Sequence, residues 1–378
     1  MENIKPFTLN IGEQTLNDLR TRLALTRWPD SETSNDPWNQ GVPLSRAQEL
    51  IEYWQNNYDW RRCEAKLNNF GQYQTAIDGL DIHFLHVRSP HPNALPLLIT
   101  HGWPGSVIEF HKVIGPLTDP VAYGGKAEDA FDVIAPSLPG FGFSGKPTSS
   151  GWGVMRIAQA WVELMKRLGY DRYVAQGGDW GSAVTLALGK IHPEHLVGIH
   201  VNMVVAFPDP NDDFTEEEQL AIAEFDNYQK NESAYAMVQT TRPQTLGYGL
   251  ADSPAGQATW IYEKFQRWSD CNGDPETILS RDEMLDNIMI YWLTNSGASS
   301  ARLYWESFRN AFVAMKVDLP VGCTVFPKEL LTPSRRWAER VYSNLIYWSQ
   351  QEVGGHFAAF EQPEIFVQEL RDCFRLLR

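Results

Sequence analysis

Short apolar runs alternate with amphipathic ones through the first half of the chain, up to about residue 201. Leu95-Pro96-Leu97-Leu98-Ile99-Thr100, Phe131-Asp132-Val133-Ile134-Ala135, Tyr173-Val174-Ala175 and Leu196-Val197-Gly198-Ile199-His200-Val201 are nearly continuous and too short for helices. That is the pattern of strands buried on both faces. Helical periodicity occupies residues 155–168 and the run Ala183 to Leu188 between them. Upstream, residues 74–77 and 80–88 flank Asp78-Gly79, a strong hairpin turn signal. From Phe207 to about Lys316 the strand-like runs disappear and charged, aromatic helical stretches replace them, with Thr215 and Glu218 as a capping box. Strand pattern resumes at residues 321–326 and 345–348, and a last amphipathic helix covers residues 363–377.

Strands alternating with helices predict an α/β fold with a mostly parallel sheet and helices on both faces. Residues 1–75 read as a helical arm with two tryptophan turns, Arg27-Trp28-Pro29 and Asp36-Pro37-Trp38, and a helix opened by a Ser45–Gln48 capping box. The expected organisation is the arm, a first core part at 76–205, a helical lid at 206–316 and a second core part at 317–378.

The strand at 173–175 runs into Gln176-Gly177-Gly178-Asp179-Trp180-Gly181-Ser182 and then a helix. Strand, tight glycine turn and helix make the setting of a nucleophile elbow, Gly-x-nucleophile-x-Gly, with Asp179 in the nucleophile slot. A serine that attacked a saturated carbon would leave an ether that water cannot readily cleave. A carboxylate that attacks the same carbon leaves an ester, which activated water hydrolyses. An aspartate elbow therefore points to displacement at an sp3 carbon, such as an epoxide or alkyl halide carbon. The bland alternative is a tight turn closed by an Asx bond.

Such an ester needs a base, and the base an orienting acid. Of nine histidines, His356 in Gly354-Gly355-His356-Phe357 stands in a loop between the last strand and the last helix, where open α/β sheets place their sites. Glu329 directly follows the strand Cys323-Thr324-Val325-Phe326-Pro327, whereas Asp318 precedes it. The order Asp, Glu, His is that of the α/β-hydrolase fold with aspartate as nucleophile. That fold takes its oxyanion-hole donors from the N–H after the nucleophile, here Trp180, and from the loop after an early strand, here Trp103 in His101-Gly102-Trp103-Pro104.

Composition narrows the classes further. A net charge of −15 argues against nucleic acid and anionic membrane surfaces as partners. Trp 14, Tyr 14 and Phe 18 suit an apolar pocket. Cys63, Cys271, Cys323 and Cys373 are widely spaced, which fits reduced thiols in a cytoplasm better than disulfides or a zinc site. No signal peptide or 18-residue apolar run is evident, so a cytoplasmic protein is expected. Gly140-Phe141-Gly142-Phe143-Ser144-Gly145 imitates a dinucleotide fingerprint, but Lys146-Pro147-Thr148 does not begin a helix. The pair His192 and His195 lies in a proline-containing polar stretch without further ligands. Neither a metal nor an organic cofactor is expected.

The quoted motifs, with Gln239-Thr240-Thr241-Arg242-Pro243-Gln244-Thr245, Asp252-Ser253-Pro254-Ala255-Gly256 and Phe326-Pro327-Lys328-Glu329, resemble the microsomal-type epoxide hydrolases. That group includes the juvenile hormone epoxide hydrolases and soluble bacterial and fungal relatives. The resemblance spans nearly the whole chain. It implies hydrolysis of an apolar epoxide to a vicinal diol through an ester on Asp179, with His356 as base and Glu329 as its acid. It also places the epoxide-activating tyrosines on Tyr235 and Tyr304, a choice that periodicity does not make. The implied partners are the epoxide and water. The membrane anchor of the mammalian relatives is not matched here, and homo-oligomerisation is left open. Rival readings are a haloalkane dehalogenase using Trp180 for halide, a serine esterase using Ser182, and a hydrolase-fold protein that only binds a ligand.

Overall fold

The computed structural model describes residues 4–378. The chain opens with β1 (Lys5–Pro6) and three helices, α1 (Glu13–Ala24), α2 (Leu44–Asn56) and α3 (Trp60–Asn69). The hairpin β2 (Gln72–Ile77) and β3 (Leu80–Val87) turns at Asp78-Gly79, both with positive φ. Next come β4 (Leu95–Thr100), α4 (Ile114–Thr118), β5 (Phe131–Pro136), α5 (Val154–Arg167), β6 (Tyr173–Gly177), α6 (Trp180–Ile191) and β7 (Leu196–Val201). Six helices follow before the next strand: α7 (Glu216–Asn231), α8 (Ala234–Thr241), α9 (Pro243–Asp252), α10 (Pro254–Trp268), α11 (Arg281–Leu293) and α12 (Gly297–Ala311). The chain closes with β8 (Val321–Val325), α13 (Arg335–Val341), β9 (Leu345–Gln350), α14 (Ala358–Glu361) and α15 (Pro363–Arg375).

One sheet runs β1-β2-β3-β5-β4-β6-β7-β8-β9, antiparallel through β3–β5 and parallel from there on. Every residue of β6 and β8 is buried, as expected for strands covered on both faces. β4 pairs with β5 on one side and β6 on the other, so the strand order reverses there and a crevice opens beyond its carboxyl end. The loops that matter chemically leave from that edge.

The capping box at Thr215–Glu218 forms, but the one expected at Ser45–Gln48 does not. α2 begins at Leu44, before Ser45, and the Leu44 N–H donates to Glu32 Oε at 3.0 Å. A carboxylate twelve residues upstream does the capping, which local spacing cannot reveal.

Helices α1 and α2 pack on α10, and α3 on α11. Lys66 Nζ and Tyr58 OH both reach the buried carboxylate of Asp286 in α11, at 2.9 and 2.8 Å. Arg46 pairs with Asp274 at 2.9 Å. The exposed pairs contribute little, whereas removing Lys66 would leave the buried Asp286 charge without its ion-pair partner, which is costly. Among the described residues no helix is long and apolar enough to cross a membrane.

Candidate active site

The elbow forms because glycine is the only residue that fits around it. A side chain on Gly181 would run into the Thr100 carbonyl, and one on Gly177 into the backbone of Gly181. β6 and α6 therefore close to within backbone contact, and Asp179 between them takes φ 50°, ψ −127°. That strained conformation projects the carboxylate away from the turn. Gly102 is equally required, since its Cβ would overlap the Asp179 side chain.

Asp179 is buried, with one oxygen committed and the other less so. The Trp103 N–H donates to Asp179 Oδ1 at 2.6 Å. Asp179 Oδ2 lies 3.4 Å from His356 Nε2. The Trp180 N–H opens α6 and has no hydrogen-bond partner among the described residues, as expected for a first-turn amide. Of the two expected oxyanion donors, Trp103 is thus bonded to the carboxylate, while Trp180 adjoins it along the chain without a bond.

Glu329 follows β8 and His356 follows β9, and the two loops meet in a Lys328–Gly355 bridge. His356 Nδ1–H donates to Glu329 Oε1 at 2.6 Å, and the same oxygen accepts the Leu330 N–H at 2.6 Å. This bond fixes the imidazole tautomer and leaves Nε2 facing Asp179. Burial alone would disfavour the imidazolium, but Glu329 and Asp179 hold its pKa well above the ordinary histidine value. Trp268 lies edge-on to the ring at 5.0 Å.

His101 does different work. Its Nδ1–H donates to the Gly102 carbonyl at 3.0 Å and its Nε2 accepts the Leu138 N–H at 3.2 Å. Desolvation lowers it to about 4, so it stays neutral and stitches the loop that carries Trp103. Ser182 is buried in the first turn of α6 and donates to the Gly177 carbonyl at 2.7 Å, which leaves no room for a nucleophilic role.

Tyr235 on α8 and Tyr304 on α12 are buried opposite Asp179, their rings 5.9 Å apart and nearly perpendicular. Trp103 stacks on Tyr235 at 5.1 Å and 10°, so one residue binds the carboxylate through its backbone and a phenol through its ring. Burial, reinforced by Asp179, holds both phenols well above the ordinary tyrosine range, so both keep their protons. The Tyr235 hydroxyl also meets the Tyr228 hydroxyl at 3.0 Å. Tyr228 went unrecognised in the sequence. Its placement seven residues before Tyr235 is compatible with one helical face, but a helix break at residues 232–233 separates them.

Two spaces share Asp179. A cavity of ≈ 160 Å³ is lined by Tyr228, Tyr235, Tyr304 and apolar residues including Met203, Phe308 and Leu331. A chamber of ≈ 20 Å³ is lined by Glu109, Gln176, Asn202 and His356, among others, and has the size of a single water site. Gln176 Oε1 finds no donor among the described residues, while Gln176 Nε2 donates to Asn202 Oδ1 at 2.8 Å. Desolvation raises Glu109 to about 8 against the pull of His356, so it carries a proton at neutral pH.

A sequence profile described as epoxide hydrolase N terminus matches residues 4–110, and one described as alpha/beta hydrolase fold matches residues 96–245. A protein of Stigmatella aurantiaca that carries the provisional name of an epoxide hydrolase is 61% identical, over 99% of this chain and 86% of its own. Epoxide hydrolase 1 of Sus scrofa is 36% identical, over 100% of this chain and 89% of its own. The crystal structure of juvenile hormone epoxide hydrolase from the silkworm Bombyx mori superposes with a TM-score of 0.91 at 31% identity, over 100% of this chain and 96% of that one.

Proposed function

The chain belongs to the epoxide hydrolase family and hydrolyses an epoxide to a diol, and from that premise we propose how its own residues divide the work. The observation that carries the proposal is the chain of contacts from the Trp103 N–H through Asp179 to His356 and Glu329. Asp179 Oδ1 is tied to a backbone donor, so Oδ2 is the oxygen that attacks the epoxide carbon. As the C–O bond breaks, the developing alkoxide takes a proton from the Tyr235–Tyr304 pair. The product of this step is a neutral ester on Asp179.

Ester formation also changes His356. In the resting site two carboxylates hold its proton. Once Asp179 is esterified, one of those charges is gone, the imidazolium gives up its proton to restore the tyrosinate left by the first step, and Nε2 becomes a competent base. Water in the ≈ 20 Å³ chamber attacks Cγ of Asp179 while His356 takes its proton. The oxyanion grows on Oδ1, facing the Trp103 N–H, with the Trp180 N–H as second donor. Collapse breaks the Cγ–Oδ2 bond, the leaving oxygen takes the proton of the newly added hydroxyl, and the diol leaves with the aspartate's former oxygen while Asp179 returns as a carboxylate beside a protonated His356.

The ≈ 160 Å³ cavity is about the size that admits benzene. An epoxide bearing one aryl-sized apolar substituent is the substrate class it fits. We read residues 206–316 as the lid that supplies this surface and residues 1–75 as the arm that fastens it. Four buried free thiols favour a reducing, cytoplasmic setting, where such an enzyme would detoxify apolar epoxides.

Intact-protein mass spectrometry of His356→Gln, incubated with aryl epoxides and separately with haloalkanes, tests the reading. The expected result is an adduct with the whole mass of the epoxide, mapped to Asp179. An adduct equal to a haloalkane less its hydrogen halide would make the chain a dehalogenase. An epoxide adduct on any other residue would remove Asp179 from the nucleophile's role.

A further inference from the structure

Tyr235 and Tyr304 face the same carboxylate, but, apart from the Tyr228 hydroxyl on Tyr235, their surroundings differ in charge. Tyr304 meets aromatic neighbours, with Trp180 at 4.8 Å, Phe308 at 5.6 Å and Trp103 at 5.8 Å. Tyr235 has the rings of Trp103 and Trp268 against it, each at 5.1 Å, and a cation as well. Lys264 Nζ on α10 lies 4.4 Å from the Tyr235 ring centroid and 5.4 Å from the Trp268 ring. The lysine is only 2% exposed, one of the largest fully buried side chains in the protein.

A buried ammonium is costly, and this one has modest compensation. Its ion-pair partner is the adjacent Glu263 at 3.0 Å, whose side chain is 22% exposed. Glu232 and Arg267 are the other charged groups that act on it, one favouring and one opposing the charge. Desolvation lowers the lysine from its usual range, as expected for an amine held among aromatic rings. A methionine of similar length would pack in the same space without that cost.

We propose that Lys264 is a positioning residue that makes Tyr235 the stronger proton donor of the pair. A cation near the ring draws electron density from the phenol and stabilises negative charge on its oxygen. The O–H of Tyr235 therefore donates more strongly as the epoxide oxygen gains charge. Trp103 and Trp268, packed on the same ring, keep water from screening the cation. Tyr304, without such a neighbour, orients the epoxide oxygen rather than delivering the proton. This inference rests on the roles given above to Asp179 and the two tyrosines.

The test measures ester formation and ester hydrolysis separately, by quenched single turnovers read by mass spectrometry. The wild type and His356→Gln first establish that the ester forms on Asp179; without it, the functional reading itself fails and not only the role of Lys264. Lys264→Met is expected to slow ester formation roughly tenfold, the scale of a desolvated cation–π contact, and to leave hydrolysis nearly unchanged. Lys264→Arg, which keeps the charge, should recover most of the rate. In a Tyr235→Phe background Lys264→Met should have little further effect, whereas in Tyr304→Phe the full tenfold loss should persist. Should the Met variant not fold, Lys264→Gln removes the charge while keeping a polar end for Glu263. Equal slowing of both steps, or an undiminished effect in Tyr235→Phe, would overturn the proposal by making Lys264 a structural residue.

Discussion

The two halves of the site are built by different means. The core half (Trp103, Asp179, Glu329 and His356) stands on loops at the carboxyl ends of β4, β6, β8 and β9, and a backbone donor and a side-chain pair hold it. Its bonds are short and directional, at 2.6 Å from Trp103 to Asp179 and 2.6 Å from His356 to Glu329. The lid half stands on α8 and α12 and is held by ring packing, with centroids 5–6 Å apart, and by the Tyr228–Tyr235 hydroxyl contact. Charge that must appear on one atom is handled by fixed backbone donors, whose geometry tolerates little error. In the proposed mechanism, recognition of an apolar epoxide rests on a packed aromatic surface, and Trp103 joins that surface to the backbone donor that holds Asp179.

The comparison breaks first at Asp179. Asp179→Ala should lower turnover by roughly 10⁴-fold or more, since no other residue can carry the ester. Near-wild-type diol formation by a folded variant would end the covalent reading. On the lid no single change should approach that loss.

Glu329→Gln comes next. It leaves a hydrogen-bond partner for His356 but removes one of the charges that hold its proton, and hydrolysis of the ester should fall on the order of 10²–10⁴-fold. The same pair has a stability signature. His356 binds its proton more tightly folded than unfolded, so the stabilisation is fully present below the unfolded pKa of about 6.5 and is lost as pH rises through the folded value. Chemical denaturation across that range should show wild-type stability declining with pH, and the decline should be smaller in His356→Gln. Parallel curves would mean that the resting imidazole is neutral.

The two halves were also unequally legible. Strand ends and glycine spacing exposed Asp179, His356, Glu329 and the Trp103 loop, because an elbow and loops at strand ends are local consequences of local sequence. The structure brings these residues into bonding distance. Tyr235 and Tyr304 could be named only through a resemblance, since their meeting depends on how α8 and α12 pack over the sheet. Lys264 gave no sequence signal, and the seven-residue spacing of Tyr228 from Tyr235 is interrupted by the break between α7 and α8. A lysine in a helix reads as solvated, and only the packing of α10 reveals that this one is enclosed. The capping of α2 by Glu32 failed to register for the same reason, as a contact between elements and not within one.

On the lid, Tyr235→Phe and Tyr304→Phe should each slow ester formation by up to roughly 10²-fold while leaving hydrolysis of a preformed ester close to wild type. The step affected is what sharpens the comparison: core changes at Glu329 or His356 strand the ester, and lid changes delay its appearance. Single-turnover traces separate the two, and an ester that accumulates in Tyr235→Phe would erase the distinction.

The smallest expected effect is at Tyr228, and it decides how far the lid's proton chemistry extends. Tyr228 is half-buried, and desolvation raises its phenol to about 12, so it keeps its proton at working pH. Its 3.0 Å contact with Tyr235 therefore joins two neutral hydroxyls, and one proton lies between them. If Tyr228 donates, the Tyr235 proton is free for the epoxide and its donation is strengthened by the bond it receives. Losing one such bond is worth about 1 kcal/mol, so Tyr228→Phe should slow ester formation about fivefold with hydrolysis unaffected. If Tyr235 instead donates to Tyr228, the substrate must first break that bond, and the same variant would accelerate ester formation. The sign of the change in a single-turnover trace gives the direction of the hydroxyl chain, and the expectation here is a decrease.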